Sequence, residues 1–236
     1  MADGIYPTLG RQAGLLREMD VIAQNIANAN TTGYRAEGLI FAEHVVATDG
    51  GPSISFAHAT GRETRFAQGS MERTGGTFDL AIQGDGYFVV DVDGAPHLTR
   101  AGAFVAGPDG GLRTPEGHAV LDDGGAPLFV PPGAAAIRVA PDGTVSADGQ
   151  PVARVAVVAP DDPRMMTRAA GTTFAAEAYA PVEAPAIAQG FLEASNVDPV
   201  IEIARMVAVQ NAYQMGQGFM DREDERMRSM LRLMDT

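Results

Sequence analysis

The residue types that most often carry out catalysis are present in this sequence, but their spacing forms no familiar site. The histidines show no metal-ligand spacing, and the motifs His-Glu-x-x-His and Gly-x-Ser-x-Gly do not occur. The absence of cysteine excludes disulfides, thiolate metal ligands and cysteine nucleophiles. We therefore predict no catalytic residue, no cofactor and no metal site. The histidines are His44, His58, His97 and His118.

Two short acidic, glycine-containing segments come nearest to a ligand motif. Asp91-Val92-Asp93-Gly94 resembles the start of a calcium-binding loop, but that loop needs glycine where Pro96 stands and glutamate where Gly102 stands. We predict a strand end followed by a hairpin turn instead. Gly84-Asp85-Gly86 precedes a β-type run rather than a helix, so it does not fit a dinucleotide-binding loop. A carboxylate pair suited to glycoside chemistry stays open, although no spacing indicates one.

Composition further restricts the class of protein. The 236 residues, 45% of them apolar, suffice for one large domain or two small ones. The net charge of −13 argues against a nucleic-acid surface, because phosphate contacts need clustered Lys and Arg. No apolar run reaches the roughly 18 residues of a membrane span, and the chain begins without a signal-peptide pattern. We expect a soluble protein that binds no nucleic acid, has no membrane span and is not exported through a cleaved signal.

An N-terminal helix is predicted from Tyr6 to Asn28. Its apolar surface is wider than one stripe, so the helix needs burial on more than one side. The segment Asn25–Tyr34 is rich in Asn, Thr and Gly, the residue types that satisfy freed backbone groups at a helix end. We expect Gly33 to take the left-handed conformation that stops a helix. The apolar positions at helical spacing are Leu9, Ala13, Leu16, Ala23, Ile26 and Ala27.

A second long helix is predicted near the C-terminus. It begins after Ser195, with Asp198 as its N-cap and Pro199 at the first helical position. A heptad of mostly methionine residues then indicates coiled-coil-like packing, which Gly216 and Gly218 interrupt. The heptad positions are Met206, Tyr213, Met220, Met227 and Met234.

Between the helices, short β-type runs alternate with Asp-Gly turn signals, which favours an antiparallel β domain, sandwich or barrel-like. We predict an α+β fold with three parts. Residues 1–35 form the N-terminal helix, 36–190 a central β domain with extended linkers, and 191–236 the C-terminal helix. The two helices can pair with each other as a coiled-coil-like layer or pack against copies and partners in an assembly, and the pattern leaves both open.

Four segments of the chain carry a family resemblance. Asn25–Tyr34 spells Asn-Ile-Ala-Asn-Ala-Asn-Thr-Thr-Gly-Tyr, and it is similar to the rod signature of the flagellar basal-body rod and hook family. The other segments resemble the start and continuation of that family's β domain and the lead into its last helix. The four occur in the expected order over nearly the whole chain, so the resemblance is specific. The second segment comprises Gln68-Gly69, Thr74-Gly75 and Asp79–Phe88, the third comprises Thr99–Phe104 and Gly111-Leu112, and the fourth is Leu192–Asp198.

The resemblance implies a non-enzymatic building block. In that family the terminal helices form an inner layer that lines an axial tube, and the β domain lies outside it. The resemblance places the protein in the rod of the flagellar basal body, which crosses the periplasm. The implied partners are other flagellar rod proteins, copies of the chain and the flagellar export apparatus. The chain length and the Asn-Ala-Asn spelling favour a proximal-rod member, with a distal-rod or hook-type subunit as the alternative.

A rod subunit would act through interface residues rather than through a catalytic centre. The competing class is a β-rich hydrolase or ligand-binding module with its helical ends folded back, which would show a concave cluster of carboxylates or histidines. The predicted subunit-interface residues are Leu9, Leu16, Ile22, Asn25, Ile26, Asn28, Asn30, Thr31, Thr32, Gly33, Tyr34, Ser195, Asn196, Val197, Met206, Tyr213, Met220, Met227 and Met234.

Overall fold

The structure, a computed structural model, describes residues 5–46 and 54–234, with side chains over 8–40, 61–230 and at 232. The described part has a long helix at each end, α1 (Ile5–Ala27) and α2 (Pro199–Met234), and short strands between them. Every strand pairing there is antiparallel, which confirms the α+β class with an antiparallel β region. The strands are β1 Glu37–Val46, β2 Ile54–Thr64, β3 Met71–Arg73, β4 Leu80–Ile82, β5 Tyr87–Val92, β6 Ala95–Thr99, β7 Val105–Ala106, β8 Leu112–Arg113, β9 Ala119–Val120, β10 Ile137–Val139, β11 Thr144–Ala147, β12 Gln150–Arg154, β13 Val157–Pro160, β14 Thr167–Arg168, β15 Thr173–Ala175, β16 Tyr179–Pro181, β17 Ile187–Gln189 and β18 Phe191–Glu193.

The chain divides into two compact units. The helical unit comprises Met1–Ala27, Glu37–Arg65 and Asp198–Thr236, and so contains α1, the β1–β2 hairpin and α2. The β unit comprises Asn28–Ala36 and Phe66–Val197, and contains the remaining strands. Neither helix, within the described residues, is long and apolar enough to cross a membrane.

In the helical unit, α1 and α2 pack against each other in antiparallel orientation. The Gln12 side-chain amide donates to the carbonyl of Tyr213 at 3.0 Å, and Arg205 lies 3.5 Å from Glu18. Residue numbers therefore increase along α1 as the numbers of their partners on α2 decrease. Side-chain contacts between the two helices hold the pair together. A regular coiled-coil geometry stays a prediction.

The start of α2 follows the sequence prediction closely. The carboxylate of Asp198 accepts hydrogen bonds from the backbone N–H groups of Val200 at 2.9 Å and Ile201 at 3.2 Å. These N–H groups have no partner inside the helix. An N-cap carboxylate accepts their hydrogen bonds, and its negative charge interacts favourably with the positive end of the helix dipole. The predicted cap and the first helical proline are both confirmed.

The β unit is built around β5, which is buried on both faces. Its central sheet has the strand order β14-β15-β6-β5-β9-β8-β7, and β13 joins β5 to β16. Phe88 and Val90 lie in one apolar cluster, and Tyr87 and Val89 lie in a second. Alternate residues of a strand point to opposite faces, so a run of four buried residues gives two cores.

The predicted hairpin after Asp91 is confirmed. β5 pairs with β6 and the two are joined by Asp93 and Gly94, whose φ angles are 53° and 83°. Positive φ at both central residues is the geometry of a two-residue hairpin turn that matches the twist of its strands.

Candidate functional site

Asn25 ties the end of α1 to the rest of the helical unit. Its side chain is fully buried and pairs with the backbone of Glu37 in the manner of a β-strand. The amide oxygen accepts from the Glu37 N–H at 2.9 Å, and the amide nitrogen donates to the Glu37 carbonyl at 2.8 Å. The same nitrogen lies 3.4 Å from the carboxylate of Glu202. One asparagine therefore joins α1, β1 and the first turn of α2.

Gly33 has a different role from the one predicted for it. Its φ of 67° confirms the left-handed conformation, but α1 ends at Ala27, so Gly33 is too distant to cap the helix. A Cβ atom at this position would lie 2.3 Å from the backbone nitrogen of Ala101. Glycine is required here because two backbone segments of the β unit approach each other closely.

A buried carboxylate, Glu193, is the centre of the β unit's polar interior. Its side chain is 0% exposed and forms ion pairs with Arg35 and, at 3.2 Å, with Arg100. The backbone N–H of Gly69 donates to the same carboxylate at 3.1 Å, and the N–H of Gly33 donates to the Glu193 carbonyl at 2.8 Å. We call Arg35, Arg100 and Glu193 the glutamate network.

Arg100 links this network to the start of β5. Its guanidinium donates to the carbonyls of Ile82 at 3.3 Å and Gly84 at 2.7 Å, and it lies 5.0 Å from the centre of the Tyr87 ring. Burial lowers the pKa of Arg100, while Glu193 acts in the opposite direction. Burial likewise raises the pKa of the Tyr87 hydroxyl, whereas the neighbouring Arg35 and Arg100 act to lower it. The Glu193 carboxylate thus partly offsets the effect of burial on the pKa of Arg100.

A third arginine, Arg168, lies between two aromatic rings beside the network. Its guanidinium lies 4.6 Å from the ring centre of Tyr34 and 4.8 Å from that of Phe174. It also donates to the backbone carbonyl of Arg35 at 2.6 Å. Cation–π contact and this hydrogen bond hold Tyr34 and the segment after it in one position.

Asn196 completes the connection between the chain segments of the β unit. Its side-chain oxygen accepts from the N–H of Ala36 at 2.7 Å, and its amide donates to the carbonyl of Ala67 at 2.8 Å. Its backbone N–H bonds the carbonyl of Tyr34 at 3.3 Å. Asn196 therefore fixes the segment that precedes α2 against the segment that follows α1.

The helices of the other unit present apolar residues to solvent. On α1, Leu9 and Leu16 are 49% and 46% exposed. On α2, several large apolar side chains are also exposed. These side chains are Val200, Ile201, Ile203, Val207, Met215, Phe219, Met227 and Met230.

The predicted interface residues fall into three groups by exposure, and their contacts with other subunits stay a prediction. Ile22, Asn25, Gly33, Tyr34 and Val197 are buried in the chain. Leu9, Leu16, Asn30 and Met227 are exposed, and the side chain of Met234 lies outside the described part. The half-buried residues are Ile26, Asn28, Thr31, Thr32, Ser195, Asn196, Met206, Tyr213 and Met220.

Sequence reasoning did not single out the glutamate network. Arg35 follows the Asn25–Tyr34 segment directly, and Arg100 and Glu193 lie inside two other segments of the resemblance. Each looks like an ordinary charged residue in its own segment, because no spacing links positions 158 residues apart. Other charged residues lie nearby in each case, namely Glu37, Asp109 and Asp198, so no local signal marks the three residues.

Known proteins similar to this chain cover almost its whole length. The flagellar basal-body rod protein FlgF of Caulobacter vibrioides is 40% identical over 236 residues, which is 97% of this chain and 96% of that protein. The chain belongs to the flagellar basal-body rod protein family. Its relatives in that family include FlgF of Mesorhizobium japonicum, 38% identical over 91% of this chain and 90% of the relative. They also include the rod protein FlgG of Bacillus subtilis, 29% identical over 99% of each chain.

Three models of the rod and hook family match separate segments. "Flagella basal body rod protein" matches residues 8–35, "Flagellar hook protein FlgE/F/G D1 domain" matches 81–147, and "Flagellar basal body rod FlgEFG protein C-terminal" matches 188–233. Arg35, Arg100 and Glu193 lie in the first, second and third matched segment, respectively. The glutamate network is thus the place in the β unit where all three family segments meet.

Proposed function

We propose that this protein is a structural subunit of the flagellar basal-body rod and occupies its proximal part. It assembles with copies of itself and with other rod proteins after it has passed through the flagellar export apparatus. The helices of residues 1–35 and 191–236 form a coiled-coil-like inner layer, and residues 36–190 form the outer β domain. Family membership and the full-length relatives support this proposal.

The observation that carries the proposal is the exposed apolar surface of α2 that includes Ile203 and Val207. Ile203 and Val207 are 53% and 51% exposed and lie one helical turn apart. Contiguous exposed apolar surface is uncommon on a monomer and indicates a site of protein–protein contact. In a rod, neighbouring subunits would cover this surface, and the area removed from water would stabilise the assembly.

A packing role also suits the buried polar groups. The carboxylates of Glu193 and Glu202 and the amide of Asn25 are engaged in hydrogen bonds that join segments of their own unit. Such groups position the backbone and are not directed into a cleft where a substrate would bind. The protein therefore acts through shape and apolar contact rather than through catalysis.

The proximal position is supported by the relatives' names. The two FlgF relatives are 40% and 38% identical to this chain, whereas the FlgG relative is 29% identical. We propose that the exposed Leu9, Leu16 and Met227 contact neighbouring subunits directly. The buried members of the predicted interface set would act by holding these surfaces in place.

The test replaces the apolar surface while leaving the fold intact. A strain without the gene is complemented with the Ile203→Glu/Val207→Glu chain, and motility in soft agar and rod content of isolated basal bodies are measured. Both side chains are exposed, so the purified chain should keep its melting temperature while assembly is lost. The matched control is Val105→Glu, which alters a 57% exposed valine of the β unit. Normal motility with the double variant would refute a rod contact through α2.

A further inference from the structure

One face of α2 packs on α1 although it carries a charged residue. Glu202 is 2% exposed, and Val209, which is 8% exposed, lies on the same face about two turns further along the helix. Beyond Val209, the carbonyl of Tyr213 accepts from Gln12 of α1 at 3.0 Å, and a Cβ atom at Gly216 would lie 2.1 Å from Gln12 Nε2. We call Glu202, Val209, Tyr213 and Gly216 the Glu202 face of α2.

The neighbouring face of α2 is apolar throughout. Each of its members directly precedes a member of the Glu202 face, which places the two faces about 100° apart around the helix axis. Ile201 and Met215 are 55% and 69% exposed, Ala208 is also exposed, and Ala212 is half-buried. Hydrophobicity alone would pack this face on α1, because a helix normally buries its most apolar stripe. We call Ile201, Ala208, Ala212 and Met215 the Ile201 face of α2.

Polar contacts with α1 favour the Glu202 face instead. The carboxylate of Glu202 lies 3.4 Å from the amide nitrogen of Asn25 and accepts from Arg205 at 3.1 Å. Arg205 in turn lies 3.5 Å from Glu18 of α1. Asn25 also pairs with the backbone of Glu37, so it has polar partners outside α2. A rotation of α2 that buried the Ile201 face would carry the Glu202 carboxylate away from Asn25.

We propose that Glu202 is the positioning residue that selects which face of α2 packs on α1, and that it thereby leaves the Ile201 face exposed. A buried polar contact in a helix interface can specify one arrangement among several apolar alternatives, even where it adds little stability. The inference rests on the proposed function only for the use of the exposed face, which neighbouring subunits would cover in a rod. The orientation of α2 itself is a property of the free chain.

The orientation is measured by thiol labelling, because the natural sequence contains no cysteine. Val209→Cys places a thiol on the Glu202 face, and Met215→Cys places one on the Ile201 face. Each single-cysteine chain is treated with a maleimide under native conditions, and the rate of labelling is measured by mass spectrometry. The thiol at position 215 should react much faster than the thiol at position 209, since the side chains there are 69% and 8% exposed.

Glu202→Ala is then added to both single-cysteine chains. It leaves Asn25 bonded to Glu37 and leaves Arg205 beside Glu18, so neither of these partners loses its last polar contact. We expect labelling at position 209 to become about tenfold faster, the factor that corresponds to loss of a hydrogen bond to a charged group. Labelling at position 215 should become slower, because the Ile201 face turns toward α1.

Two further substitutions separate the orientation of α2 from its stability. Glu202→Gln keeps an oxygen that can accept from Asn25, so it should retain the original labelling rates at both positions. Glu225→Ala removes an exposed carboxylate of the same helix and should also change neither rate. With Glu202→Ala, faster labelling at both positions would show that α2 only loosens, and unchanged rates would show that Glu202 is not needed. Either result would overturn the inference.

Motility of a complemented strain distinguishes this inference from the proposed function. Loss of motility with Glu202→Ala, together with opposite rate changes at positions 209 and 215, supports both. Opposite rate changes with normal motility would leave the orientation inference standing and would refute a rod contact through the Ile201 face. If the unmodified chain shows the expected labelling rates but does not restore motility, the proposed function fails and the orientation inference stands.

Discussion

Glu193 shows how one residue can hold three distant segments of sequence in a single arrangement. Its carboxylate is buried with two arginines, so removal of its charge leaves two desolvated cations without a counter-charge. Breaking a buried ion pair in this way costs about 3–5 kcal/mol. We predict that Glu193→Gln, which keeps the size of the side chain, lowers the free energy of unfolding of the β unit by about 3 kcal/mol or more.

Urea denaturation followed by tyrosine fluorescence measures this loss, since the chain contains tyrosine but no tryptophan. Glu183→Gln is the matched control, because Glu183 is an exposed carboxylate of the same unit. Its effect should stay within about 0.5 kcal/mol. Equal effects of the two substitutions would show that the glutamate network contributes no net stability.

A second residue-scale prediction concerns Gly33. Gly33 and Gly149 have φ angles of 67° and 82°, so alanine at either position suffers the same backbone strain of about 1–2 kcal/mol. At Gly149 an added Cβ meets open space, whereas at Gly33 it collides with backbone at Ala101. We therefore expect Gly33→Ala to destabilise the chain clearly more than Gly149→Ala in the same urea experiment. Similar losses would mean that the backbone can relax at Gly33.

At the scale of elements, the two glycines of α2 have opposite expected effects. A Cβ at Gly218 meets nothing within 4 Å, so Gly218→Ala should stabilise the helix by up to about 1 kcal/mol. The same change at Gly216 displaces the Gln12 amide and breaks its bond to Tyr213, which offsets the gain in helix propensity by about 1–3 kcal/mol. The melting temperature, measured by the circular dichroism of the helices, should rise for Gly218→Ala and stay level or fall for Gly216→Ala. A rise in both would show that Gln12 is not held by α2.

The elements also show what the sequence could and could not predict. Both helices, the Asp198 cap and the Asp93-Gly94 turn follow from local residue types, and the structure confirms them. Gly216 appeared to be a flaw in the heptad of α2, because the residue that requires it, Gln12, lies on the other helix. Contacts between distant segments depend on the folded path of the chain and leave no periodic signal.

The grouping of β1 and β2 is a second example. Their residues are of the same β type as the rest of the central region, yet the hairpin belongs to the helical unit. Asn25 is one physical reason, since its side chain pairs with the backbone of Glu37 at the start of β1, and α1 also contacts both strands of the hairpin. The partner of this buried amide cannot be identified from composition or spacing.

At the scale of the whole molecule, α2 is longer than the described part of α1. Gln12 lies opposite Tyr213 and the helices are antiparallel, so Ile5 lies opposite about residue 220. The last turns of α2, from Asp221 to Met234, extend beyond that point and carry several exposed arginines. In the proposed rod this segment would lie in the inner layer and the β unit outside it.

This arrangement predicts that assembly protects one set of trypsin sites and not another. In the free chain, trypsin should cleave at Arg226 and Arg228, which are 56% and 68% exposed, and at Arg164 of the β unit, which is 85% exposed. On assembly, cleavage in α2 should slow about tenfold or more, because cutting then requires a packed helix to open. Cleavage at Arg164 should continue at nearly its original rate. Mass spectrometry of timed digests of free and assembled chains measures both cleavage rates in one experiment. Equal protection of α2 and of Arg164 would contradict an inner helical layer with an outer β domain.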